Sequence, residues 1–391
     1  MAVSLATSDA HQPLANDCVD RLRAAMSAED IDVLVLTDTT NIEYFFGYST
    51  LTWQYKARPI FGIISHDRME LLAAHTEQRN IEQVARPFGS AYYDGYLEEA
   101  CALAHDRISA QNIQANGIAA IDYGQDFFGF GSLELLDVLR SLFRDGRVVS
   151  GGTVIWQVRR VKSEVEAERK RDAFSIVNRA FDNVIANTCL GISETDLYRR
   201  LQSEFFLEGA ETAPRIAMTF GRGDFVYNRP PGRRRLAEGD YLWTDFRATV
   251  GGFPADRNRI ARGGEPEPWE RDTYKKVRDV TIGIASGIRA GQLTGDVFER
   301  FLALWGEYDL PAPYKNLKRI GHGGGRDVTE PPSLSRGGTE LIEAGMILHI
   351  EPKLEMQGAV FQFEEVVFVT DTGVEFLSEF SPKELPVIRA D

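Results

Sequence analysis

At 391 residues, 43% hydrophobic and 26% charged, the chain is long enough to bury a sizeable core and suits two or three domains. A formal net charge of −14 lacks the basic footprint of a nucleic-acid binder. No run approaches the ~20 apolar residues of a membrane span, and the first residues show no basic segment followed by an apolar one, as a signal peptide would. Neither nucleic acid nor membrane is therefore expected as a partner. Cys18, Cys101 and Cys189 lie far apart with no metal-type spacing, which predicts reduced, incidental thiols in a cytoplasmic protein.

Taken in order, residues 1–16 read as a loose arm. Helical periodicity follows over 17–28. An apolar strand (IDVLVLTD) leads into a turn and a short amphipathic element, TTNIEYFFGYS. RPIFGIIS and MELLAA read as a strand pair, and helical stretches then alternate with the apolar strands GIAAID and RVVSG. This alternation predicts an α/β domain over 17–157. A boundary is placed at 155–162, and residues 158–391 form the second domain. Its first helix starts at Ser163, a good N-cap with acids in the first turn, and is expected to end at Gly191. A second helix starts at Ser193, and two more lie near 267–288 and 295–307. The strands RIAMTF, YLWTDFRATV, FPADRNRIA, MILHIEPKLE and AVFQFEEVVFVT make this domain α+β.

Those strands carry four carboxylates, Asp245, Asp256, Glu351 and Glu364, and His322 lies in a Gly-rich loop. A hairpin centred between Val250 and Gly251 would set Asp245 directly opposite Asp256, close enough to share a metal. Glu351 and Glu364 are equidistant from Gln357-Gly358, a plausible two-residue turn. Converging carboxylates repel one another, and two divalent cations would supply the charge that cancels them. Glycines around His322 free the backbone for close approach. Oxygen-rich ligation with one imidazole suits Mn, Fe, Co or Zn. A hydroxide bridging two such ions would act as nucleophile or base at neutral pH. His349 stands two positions before Glu351, so a strand would point both to one face; it either enters the site for proton work, or packs under the sheet or contacts a carboxylate behind the ligands.

At TDFRATVGGFPADRNR, GHGGGRDVTEPP, GMILHIEP and FEEVVFV, and through TDTTNIEYFFGYS and VRRVKSEVEAERKR in the first half, the chain resembles the pita-bread metalloenzymes: methionine aminopeptidase, aminopeptidase P, prolidase and creatinase. The resemblance implies a C-terminal pita-bread domain preceded by a smaller α/β creatinase-type N-domain. It also implies a homodimer, with Asp245 on one metal, Asp256 and Glu364 bridging, His322 and Glu351 completing the other, and Glu351 handling the proton of the attacking water. Two peptidase histidines that contact the scissile amide are replaced, by Asn228 and Thr329, which cannot exchange protons near neutral pH. Gln362 stands for the usual arginine and Glu365 for the usual aspartate. In creatinase-like N-domains an aromatic- and Arg-bearing segment reaches the partner's site. Here that is Trp53, Tyr55 and Arg58, where Arg58 would hold a substrate carboxylate and the aromatics wall the pocket. Arg229, Arg233, Arg234 and Arg235 form a basic cluster of which one member could face an anion.

Three functions follow from these residues. The first is a dinuclear metal-dependent hydrolase, similar to Xaa-Pro peptidases, cleaving a C–N bond of a small-molecule or dipeptide substrate that bears a carboxylate. The second is a metal-dependent lyase similar to the dimethylsulfoniopropionate lyases of this fold, although the extra aspartate associated with those is Trp243 here. The third is a non-catalytic binding protein, which retention of the full ligand set opposes.

Overall fold

In a computed structural model the described residues are 17–390, apart from 56, 85–87, 112, 125–126 and 129–131; the expected N-terminal arm, 1–16, lies outside them. The chain divides between Arg159 and Arg160 into two units. The first opens with α1 (Asp17–Ala28), β1 (Val33–Leu36) and α2 (Thr39–Phe46). Asp38 caps α2 by accepting from the Asn41 N–H, and Gly47 ends it in the left-handed region at φ 64°, as its missing Cβ permits. Strands β2 (Phe61–Ser65) and β3 (Met69–Ala74) follow, then α3 (Gln78–Ile81), β4 (Gly89–Tyr93), α4 (Leu97–Ser109) and β5 (Ile118–Ile121). A small pair, β6 (Tyr123–Gly124) and β7 (Phe127–Phe128), precedes α5 (Leu133–Leu142), β8 (Arg147–Ser150) and α6 (Gly152–Arg159). One six-stranded sheet orders the strands β4-β3-β2-β1-β5-β8. Its central strands are buried across their length, which is why they read as continuous apolar runs rather than alternating ones.

The second unit begins with α7 (Glu164–Ala186). Ser163 caps it, accepting from the Glu166 N–H while the Glu166 carboxylate accepts from the Ser163 N–H. The helix ends at Asn187, earlier than expected, and Gly191, at φ 88°, turns the chain toward α8 (Glu194–Leu207). Strands β9 (Ala217–Gly221), β10 (Tyr241–Val250) and β11 (Phe253–Gly263) precede α9 (Pro268–Ser286) and α10 (Thr294–Glu307). Then come β12 (Arg319–Gly323), β13 (Glu330–Ser335), β14 (Ile347–Ile350), β15 (Lys353–Met356), β16 (Ala359–Gln362), β17 (Glu365–Val369), β18 (Val374–Phe376) and β19 (Val387–Ile388).

Two sheets result, β19-β11-β10-β9 and β13-β12-β14-β17-β18, with β15-β16 as a separate hairpin. Each helix pair has its own apolar cluster: Phe174, Phe181 and Phe205 of α7 and α8 pack with Phe246 and Val366, and Val277, Ile284, Phe298 and Phe301 of α9 and α10 pack with Leu348 and Val367. The segments MILHIEPKLE and AVFQFEEVVFVT each read as one strand, but each is broken, at Glu351-Pro352 and at Phe363-Glu364. Proline cannot donate to a ladder, and both chains leave one sheet there to form the β15–β16 hairpin. Among the described residues no helix is long and apolar enough to cross a membrane.

Candidate metal centre

The two interior hairpins position the carboxylates. Gly251 and Gly252, at φ 56° and 76°, form the two-residue left-handed turn that matches strand twist. They pair Val250 with Phe253, Arg247 with Asp256, and Asp245 with Asn258. Asp245 and Asp256 are therefore not directly opposite, as expected, but one two-residue step apart on the same face. The turn is centred on the two glycines, since both conformations carry positive φ and favour residues without a Cβ. The second hairpin has the expected register: Gln357 and Gly358, at φ 50° and 85°, close it, with Met356 facing Ala359 and Lys353 facing Gln362.

His322 sits on β12 rather than in a loop, paired with Ser333 on one side and His349 on the other. A Cβ at neighbouring Gly321 would lie 1.9 Å from the His349 carbonyl oxygen, so this glycine serves close strand packing rather than metal approach. The His322 Nδ1 lies 2.9 Å from the Gly323 carbonyl. Donating there leaves the Nε2 lone pair aimed at Glu351 Oε1, 3.5 Å away, and Asp256 Oδ2, 3.9 Å away. The His349 ring stacks on that of His322, centroids 4.8 Å apart and planes within 15°. Its Nδ1 is 2.5 Å from Glu364 Oε1, and Glu364 Oε2 accepts from the Asn258 N–H at 2.7 Å.

Donor atoms of Asp256, His322, His349 and Glu364 all lie within 4.8 Å of one another and are buried. Burial, reinforced by the charge of Asp245, holds Asp256 well above the usual carboxylate range. Burial and the neighbouring Asp256, Glu351 and Asp245 do the same to Glu364. Burial and then Asp245 push Glu351 up to about 7. Burial lowers His322 to about 4 and His349 well below its usual value, so both imidazoles are neutral, the form a metal binds. The buried atoms Asp245 Oδ1, Asp256 Oδ1 and His349 Nε2 have no hydrogen-bond partner. Carboxylates crowded beside neutral imidazoles with unsatisfied donor atoms fit a divalent cation, which relieves the repulsion and fills the missing bonds.

Several cations escaped the sequence reading. Arg247 is 4.0 Å from Asp256, and Arg319 is 3.7 Å from Glu351. The Lys353 ammonium lies in an aromatic box, 3.5 Å from the Tyr227 ring centroid, 4.8 Å from Trp243 and 5.0 Å from Tyr314. Burial lowers Lys353 to about 8 despite Glu351, Glu355 and Asp245 nearby. Buried Lys170 donates to the Pro254 carbonyl at 2.6 Å, and Lys162 pairs with Glu330 at 2.7 Å, both side chains 1% exposed. Strand alternation held the signal for one of these, since Arg247 is two residues after Asp245 on β10.

Asn228 and Thr329 are both exposed and stand outside the compact group. Gln362 links two walls, accepting from Trp243 Nε1 at 2.8 Å and donating to the Glu351 carbonyl at 3.2 Å. Glu365 is buried in an ion pair with Arg257 at 3.4 Å. Of the basic cluster, Arg229 forks onto buried Glu194 at 2.6 and 2.7 Å, Arg234 pairs with Asp224 and Asp240, Arg235 donates to the Gly191 carbonyl, and Arg233 is exposed. Trp53, Tyr55 and Arg58 belong to the first unit: Trp53 donates to Glu43, Tyr55 is 66% exposed, and the Arg58 guanidinium lies 5.6 Å from the Tyr96 ring centroid.

The chain belongs to metallopeptidase family M24, which matches residues 168–371, and residues 19–161 match the creatinase/prolidase N-terminal domain. An uncharacterized peptidase, YqhT, of Bacillus subtilis is 23% identical over 95% of this chain and 99% of its own. The Xaa-Pro dipeptidase from Bacillus anthracis superposes with a TM-score of 0.81 at 20% identity, covering 95% of this chain and 99% of that one. The X-Pro aminopeptidase from Thermotoga maritima gives 0.79 at 20% identity, over the same shares. The pita-bread architecture with a creatinase-type N-terminal domain is thus the fold of this chain, and it is a metallopeptidase-family hydrolase by descent.

Proposed function

We propose that the protein is a dinuclear metal-dependent hydrolase similar to Xaa-Pro dipeptidases, cleaving the C–N bond of a small substrate that bears a carboxylate. The observation that carries this reading is the buried group of Asp256, His322, His349 and Glu364 with Asp245 and Glu351 at its edge. Divalent ions held by Asp245, Asp256, His322, Glu351 and Glu364 supply Lewis acidity and a nucleophile drawn from water. Glu351, whose side chain is 21% exposed, is placed to handle the proton of the attacking water. Arg247, Arg319 and Lys353 supply positive charge beside the site and favour an anionic substrate group. Asn228 and Thr329 offer only neutral hydrogen bonds to the substrate amide. We further propose a homodimer in which Arg58, Trp53 and Tyr55 of one copy serve the other's substrate.

The lyase reading gains no support, because Trp243 is spent on Gln362 and the box around Lys353. The test is metal-stripped protein, reloaded with Mn, Fe, Co or Zn, assayed on Gly-Pro and Ala-Pro with product masses recorded. Metal-restored cleavage with gain of one water is expected. A product lacking that water, or no metal-dependent turnover of either dipeptide, would overturn the proposal.

A further inference from the structure

Building on the metal dependence proposed above, we infer that His349 is itself a metal ligand, so that one cation position is made of two imidazoles and two carboxylates: His322, His349, Asp256 and Glu364. The donors of a single first-row ion, bound at ~2.0–2.2 Å, lie no more than about 4.4 Å apart across the ion. The four buried donor atoms here all fall within 4.8 Å of one another, nearly the span of one coordination sphere.

The placement of His349 is built into the backbone. It pairs with His322 across adjacent strands, and the two rings stack with planes 15° apart, so whatever the first imidazole ligates lies within reach of the second. Gly324 makes the room: a Cβ there would stand 2.5 Å from His349 Nε2. His349 is fully buried, and its Nε2 has no hydrogen-bond partner. Its Nδ1 is 2.5 Å from Glu364 Oε1. Two donor atoms that close share either a proton or a cation. The Glu364 carboxylate already accepts from the Asn258 N–H and is crowded by three further acids, and a divalent cation offsets twice the charge that a shared proton does.

The consequence is an unequal centre. The nitrogen-rich position favours Zn, Co or Fe over Mn. The remaining donors, Asp245 and Glu351, leave the other position oxygen-rich and set beside Arg247, Arg319 and Lys353.

The full-length protein is loaded with one equivalent of Co(II) and studied by proton NMR. Ligating imidazoles give exchangeable, strongly shifted N–H resonances, and two are expected. His349→Asn keeps an N–H that can still reach Glu364 but offers no imidazole; it should lose one resonance and weaken Co(II) binding at least about tenfold. His322→Asn should lose the other. The wild-type count needs no variant, so a misfolded variant leaves the test intact. A single imidazole resonance in the wild type, or an unchanged pair in His349→Asn, overturns the inference. Co(II) bound through one imidazole with dipeptides still cleaved removes this inference alone. Failure to bind Co(II) at all removes both it and the metal-dependent reading.

Discussion

Glu351 joins the two properties that the chemistry needs, a place among the donors, 3.5 Å from His322 Nε2, and a side chain still 21% exposed to incoming water. Glu351→Gln should lower kcat by roughly 10²–10⁴-fold with KM little changed, read in a dipeptide assay alongside metal content. Away from the centre, Glu194 shows what the basic cluster does. Burial pushes this carboxyl up, but hydrogen bonds from Arg229 and the N–H groups of Phe220 and Gly232 outweigh it, and the group is held below 4.5. A lowered carboxyl contributes stability above its unfolded value and loses it as pH falls through its folded one. Glu194→Gln should therefore cost roughly 1–3 kcal/mol at neutral pH, and the difference from wild type should shrink below about pH 4.5 in denaturant titrations. The cluster looked like an anion site because sequence shows the arginines but not Glu194, which reaches Arg229 from 35 residues away.

Among elements, the hairpins decide which side chains meet. The β15–β16 hairpin was legible because Gln357-Gly358 and the symmetric glutamates point to one register. In the β10–β11 hairpin the pairing slid by two residues, because Gly251 and Gly252 are both turn residues. Asp245 and Asp256 still share a face, one two-residue step apart rather than directly opposite. Gln362 ties these hairpins together between Trp243 and Glu351. Gln362→Ala should strand the buried Trp243 N–H at a cost of about 1–3 kcal/mol, measurable by chemical denaturation. Metal affinity should also fall, as Glu351 loses its backbone restraint.

For the whole molecule, folding concentrates like charges inside the second unit, and a bound divalent metal would stabilise that arrangement. Metal at 100 times its Kd should contribute about 2.7 kcal/mol. A chelator should therefore lower Tm, and Glu364→Ala should abolish the difference between stripped and loaded protein in scanning calorimetry. If Arg58 serves a second copy, Arg58→Ala should raise KM for dipeptides about tenfold, the worth of one charged hydrogen bond. Metal content should stay unchanged, and sedimentation should report a dimer.

The order of strands and helices and the two-part organisation were readable from the sequence, because periodicity, caps and turn glycines are local signals. Local signals also predict which residues share a strand face. Arg247 could have been read that way, two residues beyond Asp245 on the same strand. Other features depended on contacts between segments distant in the chain: the stacking of His349 on His322, the closure of Glu194 on Arg229, and the box of Tyr227, Trp243 and Tyr314 around Lys353. Those contacts exist only once the sheets pack, since register and burial, not composition, bring such side chains within bonding distance. The residues thus announce a group of acids and an imidazole suited to a metal, and the packing determines which imidazoles and cations surround it.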